Sequence, residues 1–364
     1  MNFKSKLNLY FAASPVQLIC INELRRKDCS ENFKLFLFLH KNSHYANRQM
    51  YSTLKLLGFK KYKIHWIQKK RLLRFLNEMI FILKLKLSFN FIFRNQKLNF
   101  VIFDFRNTFL QSLRRYFIQS RFTLIDDGFY TYVAHENYMN KGIYLPINNF
   151  KNFSGRIAKF LYFGSSYERL KDTSFNLFTI YADEINNNNA QMNNLTYLKT
   201  KIKTRKRKFD ANKVYFIGTG MVERGTVEIE QELGLIKKLN EYWHKRGKEM
   251  YYIAKRRTSR EKLNVFNLNG IKTLKYDLPL ELVVTEIDNI PVHYCSLGST
   301  LQKSLQLILG NKIKVYKIDF EDFLRKSNDL KSEIFLDDVD ISSSYYSQKS
   351  PNINVLEYEE IIGK

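Results

Sequence analysis

The chain has 364 residues, 45% hydrophobic and 15% aromatic, which is long enough for two domains with separate cores and too apolar for a disordered chain. Its 60 Lys and Arg against 35 Asp and Glu give a net charge of +25; such a surface draws nucleic acid, anionic lipid, acidic glycan or phosphorylated substrate and does not choose among them. Three cysteines, Cys20, Cys29 and Cys295, lie far apart without CxxC spacing, which excludes a disulfide framework and a cysteine zinc cluster and fits a reducing cytoplasm.

Residues 1–25 set a strand-like run directly behind two lysines with no small-residue cleavage site, so no signal peptide is expected. No uncharged run reaches the ~18 residues of a membrane-crossing helix. The apolar runs LNLYFAA (7–13), FKLFLFLH (33–40), YKIHWIQ (62–68), NFVIFDF (99–105) and FTLIDDG (122–128) are continuous rather than alternating, which predicts strands buried on both faces of a parallel sheet. Pro15–Leu24 and His44–Leu57 have helical spacing between them. The alternation predicts a doubly wound α/β domain.

Segment 69–88 stands apart, with Lys69, Lys70, Arg71, Arg74, Lys84 and Lys86 against Glu78, interleaved with Leu, Phe, Ile and Met. It reads either as a basic amphipathic helix on an anionic inner-membrane surface or as a core helix whose lysines snorkel. Residues 182–210 break the rhythm with an Asn-rich stretch and the run KTKIKTRKRK (199–208). That run reads as a solvated linker or surface helix, or else as a contact for an anionic partner.

Beyond it NKVYFIGT (212–219) predicts a strand, and Val227–Arg246 a helix with Ile229, Leu233, Ile236, Leu239 and Trp243 on one face and Gly247 as its stop. EMYYIAKR (249–256), IKTLKYD (271–277) and DNIPVHYCSL (288–297) follow as strands, Thr300–Leu309 as a helix, and KIKVYKIDF (312–320) closes the sheet. Two Rossmann-like halves, 1–205 and 206–364, with a cleft between them, make the expected α/β architecture GT-B.

Three short motifs could carry chemistry. Asp126-Asp127-Gly128 ends a buried strand, where open α/β sheets bind ligands. A carboxylate there can take a proton from an attacking hydroxyl, or the pair is only a polar strand-to-loop transition. Ser296-Leu297-Gly298-Ser299-Thr300 opens a helix whose start either is simply capped or offers N–H donors to a phosphate. Lys255-Arg256-Arg257, at a strand end, is a surface charge cluster or a clamp for a leaving phosphate. The six histidines lack HxH or HxxxH spacing, and neither GxGxxG, nor a P-loop, nor a DxD motif is present. No metal site is expected.

In chain order these are Ala13-Ser14-Pro15-Val16-Gln17-Leu18, LIDDG, Gly218-Thr219-Gly220-Met221-Val222-Glu223, YYIAKRRTSREKL and HYCSLGSTLQKSL. That succession resembles the bacterial sialyltransferase and polysialyltransferase superfamily, including the lipooligosaccharide sialyltransferases, whose members share a paired acidic motif before glycine, a His-Pro or His-Arg motif and a paired-serine motif. The resemblance spans nearly the whole chain. It implies an inverting, metal-independent, cofactor-free GT-B glycosyltransferase that moves sialic acid or a related nonulosonic acid from a CMP-activated donor to a bacterial surface glycan, lipooligosaccharide or capsule. The N-terminal domain would serve the acceptor and supply the general base, Asp126 or Asp127 with a preference for Asp126. The C-terminal domain would bind the CMP donor. Ser14 and Gln17 would lie near donor sugar or acceptor, and Gly218, Gly220 and Glu223 near the nucleotide. Arg256, Arg257, Ser296, Ser299 and Thr300 would meet the phosphate.

Two departures stand out. Lys255 occupies the family's histidine position, and Leu297 and Gly298 intervene between Ser296 and Ser299. Lysine neutralises phosphate but donates a proton poorly at neutral pH unless its pKa falls. Competing readings are a GT-B transferase using CMP-Kdo or a UDP-hexose, and a non-catalytic basic protein on membrane or nucleic acid. Scattered basic residues and the lack of a nucleic-acid motif weigh against nucleic acid as partner. A cytoplasmic place, peripheral on the inner membrane, is expected.

Overall fold

The computed structural model describes residues 5–91, 96–145, 153–185, 187–318, 345, 353–357 and 360–361. It divides into two compact units, Met1–Asn194 and Leu195–Lys364.

The first unit holds a parallel sheet of β1 (Ser5–Ala12), β2 (Phe33–Leu39), β3 (Lys63–Trp66), β4 (Gln96–Ile102), β5 (Arg121–Ile125), β6 (Asn176–Thr179) and β7 (Ala190–Met192). Its spatial order is β3-β2-β1-β4-β5-β6-β7. The chain winds outward from β1 in one direction, then crosses to β4 and winds the other way, so the order reverses between β1 and β4. The helices include α1 (Pro15–Lys27), α2 (His44–Leu57), α3 (Arg71–Phe91), α4 (Thr108–Tyr116), α5 (Tyr130–Asn137), α6 (Phe153–Phe163) and α7 (Tyr167–Asp172).

The second unit repeats the plan with β8 (Lys208–Ile217), β9 (Glu249–Ile253), β10 (Lys272–Leu274), β11 (Asn289–Ser296), β12 (Lys314–Ile318) and β13 (Asn354–Leu356). Its order is β10-β9-β8-β11-β12-β13, reversing between β8 and β11. Its helices include α8 (Thr196–Lys203), α9 (Ile229–His244), α10 (Arg260–Leu268), α11 (Leu280–Glu286) and α12 (Thr300–Leu309). Two Rossmann-like units in succession are the GT-B fold class.

The continuous apolar runs other than 62–68 fold as expected because both sheet faces are covered; β3, from that run, lies at the sheet edge with Lys63 and Ile64 exposed and His65 and Trp66 half-buried. Leu35 to Leu39 are all buried on β2. Phe100 of β4, fully buried, stacks on Phe122 at 4.7 Å and lies 4.9 Å from Phe117 and 6.2 Å from Phe11. Lone aromatic substitutions are costly in such a centre, where packing leaves no room to relax.

Several expectations change. The polar stretch at 182–210 is structured: β7 lies within it, and α8 buries Leu198 and Ile202. Because α8 packs on α11 and α12, it belongs with the second unit, and the division falls at 194/195 rather than at 205. The basic run after it is held by Lys201 and Arg205 pairing with Glu286, and by Arg207 donating to the carbonyls of Thr285 and Ile287. The strand β12 does not close its sheet, since β13 pairs outside it in parallel, Tyr316 against Asn354. His293 is a core residue, buried beside Trp243 with Nδ1 3.2 Å from the Tyr316 hydroxyl, and burial lowers its pKa to about 4.

No helix among the described residues is long and apolar enough to cross a membrane. Phe100→Ala should cost roughly 3–5 kcal/mol of stability, read by urea denaturation; a loss below about 1 kcal/mol would mean that this aromatic stack is not the centre of its unit.

Candidate functional site

In an open α/β sheet the loops that bind ligands leave the carboxyl ends of the strands at the point where strand order reverses. In the first unit these are the turns after β1 and β4, with the turn after neighbouring β5.

After β1, Ser14 caps α1 in a reciprocal box: its hydroxyl accepts from the Gln17 amide, and Gln17 Oε1 accepts from the amides of Ser14 (3.0 Å) and Ala13 (2.6 Å). The other end of the buried Gln17 side chain donates from Nε2 to Asp127 Oδ1 at 2.7 Å. Gln17 therefore fixes the helix start and the direction of one carboxylate together.

The paired carboxylates point to different tasks. Asp126 is 2% exposed; its Oδ1 accepts from the Thr179 hydroxyl (2.5 Å) and its Oδ2 from the Ile180 amide (2.9 Å). It ties the end of β5 to the end of β6. Asp127 is half-buried, turns towards Gln17, and is steadied by its own amide donating to Thr131 Oγ1 at 2.9 Å. Gly128 follows in the left-handed region at φ 72°. Of the two, Asp126 is the more enclosed by strand-end donors and Asp127 the more open.

The turn after β4 carries features the motif reading passed over. Asp104 takes φ 50°, which is uncommon for a residue with a side chain. Its carboxylate accepts from the Arg106 amide (3.0 Å), and the Arg106 guanidinium sits 3.5 Å from the centroid of the Tyr130 ring. Asp tolerates this region better than most residues because its short carboxylate can bond the backbone locally, as it does here with the Arg106 amide.

In the second unit the remaining candidates stand in the loops after β8, β9 and β11. Gly218 is demanded by packing: a Cβ there would lie 2.6 Å from the Tyr252 ring and 2.7 Å from the Ile253 carbonyl. At Gly220 the same space is open. After β11, Ser296 is buried and its hydroxyl accepts from the Gly298 amide at 3.1 Å, holding the turn. Ser299 caps α12, with its own amide donating to Gln302 Oε1 at 3.3 Å, while Gln302 Nε2 anchors to the Tyr316 carbonyl at 2.6 Å. Thr300 begins the helix, half-buried.

After β9 come Lys255, Arg256 and Arg257, ahead of Ser259, which caps α10. The Lys255 side chain is exposed at its own surface, yet the protein around it lowers its pKa to about 8, and the Arg224 cation adds to the fall. A lysine in this state is still mostly charged at neutral pH and loses its proton just above it.

Behind these loops lies a buried network. Glu232 of α9, fully buried, accepts from the Thr219 hydroxyl (3.0 Å), the Tyr252 hydroxyl (3.1 Å) and Lys262 Nζ (2.7 Å). Lys262 of α10, equally buried, also lies 3.6 Å from Glu223, whose Oε1 accepts from the Ser259 amide at 3.3 Å. Glu223 thus braces the start of α10. The sequence carries one signal for Glu232: it shares helical spacing with Ile236, Leu239 and Trp243, a carboxylate on an apolar face. Lys262 stands likewise four residues before the buried Phe266. Among the described residues no group of three or more His, Cys, Asp or Glu could hold a metal ion.

No protein-family model and no curated protein matches the sequence. Solved structures do. The chain is similar to the UDP-GlcNAc 2-epimerase of Methanocaldococcus jannaschii, with a TM-score of 0.50 and 11% identity over 98% of this chain and 90% of the other. It also aligns with a sialyltransferase of Photobacterium damsela, at a TM-score of 0.44 and 12% identity over 97% of this chain and 81% of the other. At these identities the likeness is one of fold.

Glu232→Ala leaves the buried Lys262 with only its longer contact to Glu223 and should cost roughly 3–5 kcal/mol, whereas Glu232→Leu with Lys262→Met should recover much of that loss. Denaturation of the two variants checks it; equal stabilities would show that the pair is not what joins α9 to α10.

Proposed function

We propose that this chain is a glycosyltransferase that moves a sialic acid or related nonulosonic acid from a CMP-linked donor to a hydroxyl of a bacterial surface glycan, lipooligosaccharide or capsule. The observation that carries the reading is the placement of a three-cation loop and a capped helix start at the carboxyl ends of β9 and β11, on either side of β8 at the reversal point of a Rossmann-like sheet. A loop of three cations and the positive end of a helix both suit a phosphate. The choice of CMP and of sialic acid rests on the motif resemblance.

In this reading the acceptor oxygen attacks the anomeric carbon while the bond from that carbon to the CMP phosphate oxygen breaks. Asp127 takes the hydroxyl proton, with Gln17 holding its carboxylate in direction. The bonding pair departs on the phosphate, and Lys255, Arg256, Arg257 and the start of α12 at Ser299 and Thr300 meet its charge. Attack from the side opposite the leaving group inverts the anomeric centre. These cations supply the charge stabilisation, so the scheme invokes neither metal nor cofactor. Asp126, Ser296 and Glu223 hold the turns in place.

Incubation with CMP-sialic acid, CMP-Kdo and UDP-hexoses tests the donor: acceptor-dependent CMP release from the first is expected, and turnover of a UDP-sugar alone would move the chain to another donor class. Asp127→Asn should lower turnover roughly 10²–10⁴-fold with the melting temperature kept, while Asp126→Asn should chiefly lower the melting temperature. An inactive but fully stable Asp126→Asn beside an active Asp127→Asn would exchange their roles, and two active variants would remove the carboxylate from the mechanism.

The lowered pKa of Lys255 sets a pH dependence. Below about 8 the lysine is charged and binds phosphate; above it the charge, and its share of the affinity, is lost. CMP is already dianionic there, since a phosphate monoester loses its second proton near pH ~6. CMP affinity should therefore fall about tenfold across that pH, as measured by calorimetry, and Lys255→Arg should hold it level. An unchanged pH profile in Lys255→Arg would remove Lys255 from the phosphate site.

A further inference from the structure

We infer that α3, together with its neighbour α6, forms a docking face for an anionic lipid surface. The inference is independent of the transferase reading. It begins with how α3 divides its residues. One face turns inward: Glu78, Ile82 and Leu85 are buried, and Phe81 packs against Phe36 at 5.2 Å. The opposite face carries Leu72, Leu76, Ile80, Leu83, Leu87 and Phe91 at successive steps of three or four residues, all of them exposed, from 46% at Leu76 to 82% at Phe91. This is one continuous stripe along the helix. Soluble chains scatter exposed leucines singly; a run of this extent marks an interaction site.

The neighbouring helix adds to it. Phe75 of α3 meets Tyr162 of α6 edge-on at 5.2 Å, and the Tyr162 hydroxyl donates to Glu78. Beside that contact α6 exposes Ile157, Phe160 and Leu161, Phe160 to 71%.

Charge names the occupant. Lys84 and Lys86 are exposed and flank the stripe, one on either side by helical angle, and Lys69, Lys70 and Arg74 are exposed at its N-terminal end. The acidic side chain of α3, Glu78, is turned inward, where Arg74 and Tyr162 bind it. The outer face thus combines leucines with cations and lacks a carboxylate among its described residues. Apolar side chains sunk between acyl chains, with flanking lysines at the headgroups, satisfy both parts of the pattern. A second copy of the chain does not, because a symmetric contact through this face would bring its lysines together.

The test is flotation of the full-length protein with phosphatidylcholine vesicles, with and without phosphatidylglycerol, beside sedimentation velocity without lipid. Binding to the anionic vesicles is expected, weakening as salt rises. Leu83→Glu with Leu87→Glu, and separately Lys84→Glu with Lys86→Glu, should each lower partition by roughly tenfold or more. These positions are exposed, so the circular dichroism and melting temperature should stay as in the parent. Absence of binding to anionic vesicles, or equal partition of parent and variants, overturns the inference. So does a dimer in sedimentation that the Leu83→Glu, Leu87→Glu variant breaks, since the face would then be a self-interface.

Discussion

The loops after β8 and β9 depend on one buried carboxylate. Glu232 has no solvent to share its charge, so its oxygens must be met by protein, and they are: Thr219 reaches it from the turn after β8, Tyr252 from β9 and Lys262 from α10. A buried ion is tolerated only with this degree of satisfaction. Its consequence is geometric. Each group that satisfies Glu232 belongs to a segment flanking a candidate phosphate-binding loop, so the loops are held in one relation to each other before any ligand arrives. The close fit of Gly218 under the Tyr252 ring is part of the same arrangement, since that ring's hydroxyl must reach past the glycine to Glu232.

The first unit solves its own problem with neutral groups. A single buried glutamine joins the cap of α1 to Asp127, and a threonine with a backbone amide closes over Asp126. Two adjacent acids are kept apart by being given different partners. In both units the fold fixes its site through side chains that would not themselves touch a substrate, which is how preorganisation is achieved on strand-end loops.

Much of the fold was legible because it is written in runs long enough to average out local accidents. The strands β1, β2, β4, β5, β9, β11 and the second half of β8 are built on apolar runs, and Gly247 marks the end of its helix at φ 68°. What stayed hidden has a common cause. The strands β6, β7 and β13 are four, three and three residues long, and owe their form to the neighbour they pair with. The basic run 199–208 looked solvated because its one buried apolar residue, Ile202, is outnumbered by lysines and arginines. The acidic pair was plain as a motif. Which member faces outward was not, because that depends on Thr179 and Ile180, more than fifty positions away along a strand too short to be predicted.

Every pairing between neighbouring strands of both sheets is parallel. A parallel pair cannot form through a tight hairpin, and the central pair of the first sheet sets Ser5 against Gln96, so the heart of the domain waits on distant chain coming together. Chains of this kind gather slowly and expose unsatisfied edges while they do so. A net charge of +25 makes such half-built molecules repel one another in the crowded moments after synthesis. The surplus of lysine and arginine thereby acts as a guard on assembly for a topology that offers no quick local start.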